Sequence, residues 1–144
     1  MKALGIDIGF HSVKCVELSQ QKDSFQVTRV FEHLLNLNPA HDSALEVLEF
    51  LQGLRSSLDF DKTQIVLALP QRDLSSRRLK FPFTDRLKIA QSLPFELEDE
   101  IPLNVEDALF ESRIIRQSRS QAEVFAMAVL RPKVQDLFKL GQDV

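Results

Sequence analysis

Apolar and polar residues alternate with a period of two along the first thirty positions, the pattern of half-buried strands. Leu4, Ile6 and Ile8 share one side of residues 2–8, and Ala3, Gly5 and Asp7 the other. Gly9-Phe10-His11-Ser12 is short enough to be a tight turn. Residues 13–19 alternate again, residues 20–24 are polar enough to turn, and Phe25, Val27, Arg29 and Phe31 are placed on one face of a third strand. Three strands joined by short turns predict an antiparallel meander. Beyond the loop marked by Asn38-Pro39, Ser43 and Glu46 have capping-box spacing and predict a helix start. Ala44, Val47, Leu48, Leu51, Leu54 and Leu58 follow at helical intervals. The run Ile65-Val66-Leu67-Ala68-Leu69, stopped by Pro70, predicts a strand buried on both faces and reached by a parallel crossover.

The pattern changes after Pro70. Arg72, Arg77, Arg78 and Lys80 mark a basic connection that becomes a charged edge strand. Thr84 is positioned to cap a second helix, which Pro94 kinks or restarts and Ile101-Pro102 ends. Residues 109–116 and 124–130 read as a hairpin around Ser118-Arg119-Ser120. Pro132 suits the first position of a closing helix that Gly141 ends. The orders β-β-β-α-β and β-α-β-β-α divide at the seam near Pro70 into residues 1–72 and 73–144, an α/β piece followed by a small α+β piece.

Composition narrows the function classes. The chain has 144 residues, 44% hydrophobic and 27% charged, and a net charge of −3, which suits an ordinary globular chain and gives no electrostatic ground for nucleic acid. A single cysteine, Cys15, excludes an internal disulfide and reads as a small buried apolar residue. His11, His33 and His41 share no ligand spacing. No apolar run approaches the roughly 20 residues that span a bilayer, so no membrane insertion of this segment is expected and a cytoplasmic setting is the default. Eleven Phe stand beside no Trp and no Tyr. Glu96, Asp99 and Glu100 lie within one helical turn. With no histidine beside them they read as a solvated face, or else as a docking surface for a basic partner, rather than an acid/base pair.

The stretch richest in chemistry is Leu4-Gly5-Ile6-Asp7-Ile8-Gly9-Phe10-His11-Ser12-Val13-Lys14. Gly9 permits a turn whose N–H groups approach phosphate oxygens, Lys14 supplies a point charge, and Asp7 can hold magnesium through water. An ordinary hairpin whose aspartate caps the turn has the same spacing. The segment resembles the first phosphate loop of the actin/sugar-kinase/heat-shock ATPase superfamily, Asp-X-Gly-(Thr/Ser)-X-X-X-Lys, with Asp7, Gly9 and Lys14 in register and Ser12 within the loop. Phe10 replaces the hydroxyl residue and cannot make its contact.

A second resemblance is more specific. Leu69-Pro70, the basic segment to Phe83, and Leu93-Pro94-Phe95-Glu96-Leu97-Glu98-Asp99-Glu100-Ile101-Pro102 resemble the PilM family of type IV pilus assembly and the cytoplasmic region of GspL in type II secretion. That resemblance covers nearly the whole chain. It implies an actin-like (ribonuclease H-like) fold: part of subdomain 1A in residues 1–72, then the inserted subdomain 1C in residues 73–144. It implies no enzyme and no cofactor in this chain, ATP and magnesium belonging only to a longer protein with a second lobe. The implied role is a cytoplasmic scaffold peripheral to the bacterial inner membrane. Its partners would be the N-terminal tail of a PilN-like protein, docked between 1A and 1C, or the secretion ATPase GspE. Nothing after Leu130 forms an Asp-X-Gly loop and no Gly-Gly pair occurs, so the chain is expected to be a fragment whose exposed strand edges favour self-association. The alternatives are the N-terminal piece of an ATP-dependent kinase of the superfamily, or a division-type polymerising actin homologue.

Overall fold

A computed structural model describes residues 1–144. The chain forms two compact units, Met1–Pro70 with Asp136–Val144, and Gln71–Gln135.

In the first unit, β1 (Lys2–Ile8), β2 (Ser12–Gln21) and β3 (Ser24–Leu34) form the antiparallel meander. Lys22, with φ 51°, takes the left-handed conformation that the β2–β3 turn requires. The helix α1 (Ser43–Arg55) crosses over, and β4 (Thr63–Leu67) returns parallel to β1, giving the order β3-β2-β1-β4. Leu4, Ile6, Val13 and Cys15 on one sheet face pack against Val47, Leu51, Leu54 and Leu58 from α1 and the turn after it, so the helical stripe is core. Leu140 and Val144 pack on the same cluster.

Several local expectations are corrected. The N-cap of α1 is Asp42, not Ser43: its carboxylate accepts from the amides of Ala44 and Leu45 at 3.0 and 3.1 Å. Glu46 is therefore free to turn back and accept from the Asn36 amide at 3.0 Å. The bulge in the β2–β3 ladder at Glu17/Leu18 shifts the side-chain alternation. Phe25 and Val27 consequently face away from the core while Arg29 and Phe31 face it, rather than all four sharing a face. The strand β4 is not buried on both sides: it lies at the sheet's edge, and Val66, 52% exposed, points away from α1.

In the second unit, β5 (Leu74–Phe81), β6 (Ala108–Gln117) and β7 (Ala122–Leu130) form an antiparallel sheet of order β5-β7-β6. The basic strand is thus an edge strand, and β6–β7 is the expected hairpin. The helix α2 (Arg86–Leu97) covers this sheet, burying Ile89, Leu93 and Leu97 against Leu79, Phe81, Val124, Ala126 and Ala128. Asp85, not Thr84, caps it, accepting from the amides of Leu87 and Lys88 at 2.9 and 3.2 Å. The helix continues through Pro94 without a restart.

The closing helix α3 (Arg131–Asp143) has Pro132 as its second residue and runs two residues past Gly141. A Cβ at Gly141 would lie 3.3 Å from Leu67 Cδ1. The glycine therefore serves close helix–strand packing rather than termination.

Cys15 is fully buried, and desolvation pushes its thiol up to about 11. An aromatic disulfide reagent at neutral pH is expected to leave it unmodified in the folded chain and to react stoichiometrically once denaturant is added. Immediate reaction without denaturant would contradict this packing.

Candidate functional site

The β1–β2 register sets Asp7 directly across from Lys14. Strand alternation puts Ser12 on their side of the sheet, the face turned away from α1. Asp7, Ser12 and Lys14 thus share a face beside Gly9, as a phosphate loop would need. The remaining geometry runs the other way. Gly9 spends its amide on Ser12 O at 2.9 Å, and a Cβ at Gly9 would meet that same oxygen at 3.0 Å. The glycine is required by this close approach, and its N–H is not offered to a ligand. Leu35 N donates to His11 O at 2.8 Å, tying the tip to the end of β3. Lys14 is drawn toward Glu32 at 3.9 Å. Phe10 is 68% exposed, its ring edge-on to His11 with centroids 4.8 Å apart. The residues present do not fit Mg–ATP: the tip is closed on its own hydrogen bond, its lysine has a carboxylate neighbour, and a phenyl ring replaces the hydroxyl.

No group of three His, Cys, Asp or Glu side chains is arranged to hold a metal ion. The recess among Ile6, Leu51, Phe60, Leu67 and Leu140 is apolar. Glu96, Asp99 and Glu100 are exposed, and Glu100 sits 3.7 Å from Arg77. His33 and His41 both approach Glu46, at 2.9 and 3.1 Å, and His33 stacks on Phe50. The Asn36 amide, then the two imidazoles, hold the Glu46 carboxyl below its usual range against a partial desolvation. This cluster ties the β3–α1 loop to the helix.

Glu17 is the one buried carboxylate. Its side chain accepts from Thr28 Oγ1 at 2.6 Å and Arg29 Nε at 2.9 Å, with Lys2 Nζ at 3.4 Å. Hydrogen bonds from Arg29 and Thr28 outweigh desolvation and lower its pKa to about 2. Arg29 also donates to the Ser57 carbonyl at 2.7 Å. The group ties β1, β2 and β3 to the turn after α1, with Glu17 itself buried and the Lys2 and Arg29 side chains partly exposed.

What the chain does offer is surface. Val27, Val30 and Leu34 of β3 and Val66 of β4 are all exposed on the face away from α1. In the second unit β5 has a strand partner on one side only, and its free edge carries Arg77 and Arg78. Sequence reasoning located the basic edge strand but missed the apolar sheet face. Alternation tells which residues share a face, not which face receives a helix.

The comparisons with known proteins bear on family and fold. The sequence matches the family described as type IV pilus assembly protein PilM over residues 5–141. No curated protein matches it. Among solved structures, the PilM–PilN type IV pilus biogenesis complex is similar with a TM-score of 0.80 at 17% identity, over 98% of this chain and 44% of that one. The cytoplasmic domain of EpsL, an inner membrane component of the type II secretion system of Vibrio cholerae, is similar with a TM-score of 0.64 at 19% identity. That likeness covers 99% of this chain and 52% of the other. The chain therefore spans about half the length of the structures it resembles, and it has their actin-like α/β fold. No helix is long and apolar enough to cross a membrane. With the match running over nearly every residue of the meander, the crossover and the second sheet, the chain belongs to the PilM family of type IV pilus assembly proteins.

Proposed function

We propose that this chain is a non-enzymatic docking element of a type IV pilus or type II secretion assembly platform, working on the cytoplasmic side of a bacterial inner membrane. Residues 1–72 serve as the partial subdomain 1A and residues 73–144 as the inserted 1C, whose last stretch, Asp136–Val144, returns to the first compact unit. The partner is the short cytoplasmic tail of a PilN-like membrane protein, or the secretion ATPase GspE in a type II system. Asp7, Gly9, Ser12 and Lys14 are a phosphate-loop remnant that shapes the hairpin tip.

The observation that carries this reading is the free edge of β5, whose unpaired N–H and C=O groups are a template for an extended peptide. A tail recognised this way gains main-chain hydrogen bonds without any catalytic group, and Arg78, which has no ion-pair partner within the chain, biases the edge toward an acidic or carboxylate-bearing strand. The test is a calorimetric titration with a synthetic PilN-like tail peptide, followed by hydrogen exchange on the mixture. Saturable binding with slowed exchange across Leu74–Phe81 is expected. Binding that leaves β5 amides unprotected would remove the edge from the account. Failure to bind either the tail or GspE would remove the docking role.

A further inference from the structure

The outward side of α2 carries a pattern that the docking role does not use. At 3.6 residues per turn, Leu87, Gln91, Pro94, Phe95 and Glu98 fall within about 100° of arc, opposite the buried Ile89 and Leu93. Phe95 is 78% exposed and Leu87 67% exposed. The middle of the stripe, Gln91 and Pro94, is uncharged. Beside it, Lys88 lies toward the N-terminal end and Glu98 and Asp99 lie at the C-terminal end. None of these three charges has an ion-pair partner within the chain.

We infer that this face of α2 pairs with the same face of a second copy of the chain, the two helices antiparallel about a two-fold axis at Gln91. The argument is self-complementarity. A two-fold at Gln91 sets Leu87 of each copy at the height of Phe95 of the other, so the two exposed apolar side chains cover each other. It also brings Lys88 of one copy within reach of Glu98 and Asp99 of its mate, twice by symmetry, which is what an isologous interface requires. A parallel pairing would instead align Lys88 with Lys88 and the acidic ends with each other, and is disfavoured by like charge. A contact of one 12-residue helix per copy lies below the roughly 1,200 Å² of stable complexes, so the dimer is weak and concentration-dependent. This places self-association on a helix face rather than on the sheet edges expected from sequence.

Sedimentation of the chain Met1–Val144 across a wide concentration range tests the assignment. A reversible monomer–dimer equilibrium is expected, abolished by Phe95→Ser and by Lys88→Glu, both at exposed positions. Adding Glu98→Lys and Asp99→Lys to Lys88→Glu should restore it, a rescue that a misfolded variant could not give. Gln91→Cys should form an intermolecular disulfide under mild oxidation, since Cys15 is buried. A chain that stays monomeric throughout, a dimer indifferent to Phe95→Ser, or a charge reversal without rescue would each overturn the inference.

Discussion

Replacing Arg29 with alanine is expected to destabilise the chain by about 3–5 kcal/mol, because it leaves the Glu17 carboxylate buried without its principal partner. Glu17 is 1% exposed, and Arg29 meets it with two nitrogens, Nε at 2.9 Å and Nη2 at 3.3 Å. Thr28 and Lys2 remain in the variant but cannot supply a forked, fixed donor pair. Removing the charge as well, in Glu17→Gln with Arg29→Met, should cost less than Arg29→Ala alone, since no unpaired ion is then buried. Urea unfolding at neutral pH measures both. Equal losses for the single and the double variant would mean that the ion pair is incidental.

The same group fixes the acid response. The folded pKa of about 2 lies below the ordinary 4.5, so ionised Glu17 stabilises the fold above pH 4.5 and this contribution is lost as pH falls toward 2. The shift corresponds to on the order of 3 kcal/mol. Stability of the parent chain should fall across that window, and the double variant should lose less over it. An acid profile unchanged by removing Glu17 would assign the acid sensitivity to other carboxylates.

Where sequence and structure part, the cause is what periodicity does not encode. Both helix starts were legible to within a residue or two, but the capping side chain was not. Asp42-Ser43 and Thr84-Asp85 each place two competent caps side by side, and backbone geometry chose the aspartate both times. The run at residues 65–69 is apolar on both faces and the parallel partner is as expected, yet only one face meets a helix in this chain. Composition reports a capacity for burial, and the covering layer is a separate matter. Gly141 looked like a terminator because glycine usually is one, and only the 3.3 Å approach to Leu67 shows the packing it permits. The hairpin tip is the opposite case. Spacing at Asp7, Gly9, Ser12 and Lys14 fits an ordinary hairpin as well as a phosphate loop; the resemblance to a known loop is what singles them out, and Phe10 marks the departure from it. The closure of Gly9 on Ser12 adds the geometric reason.

Truncating Leu93 to alanine is expected to cost about 2–5 kcal/mol, through lost transfer energy and a cavity beneath α2. Leu93 is almost fully buried between Ile89 and Leu97 on the stripe that seals the β5-β7-β6 sheet. Phe95→Ser, two residues away but facing outward, should cost no more than about 0.5 kcal/mol, so the pair separates position from proximity. Hydrogen exchange gives the sharper reading because the chain divides into two compact units. If the second unit opens on its own, Leu93→Ala should raise exchange in β5–β7 by about 100-fold, the equivalent of some 3 kcal/mol. Amides of β1 and β2 would then keep their parent rates. A matching rise in both sheets would show instead that α3, which starts in one unit and ends in the other, couples them into a single cooperative fold. A docking element whose edge strand opens independently would have to pay its ordering cost on binding, and partner affinity should then fall with Leu93→Ala even though Leu93 touches no surface.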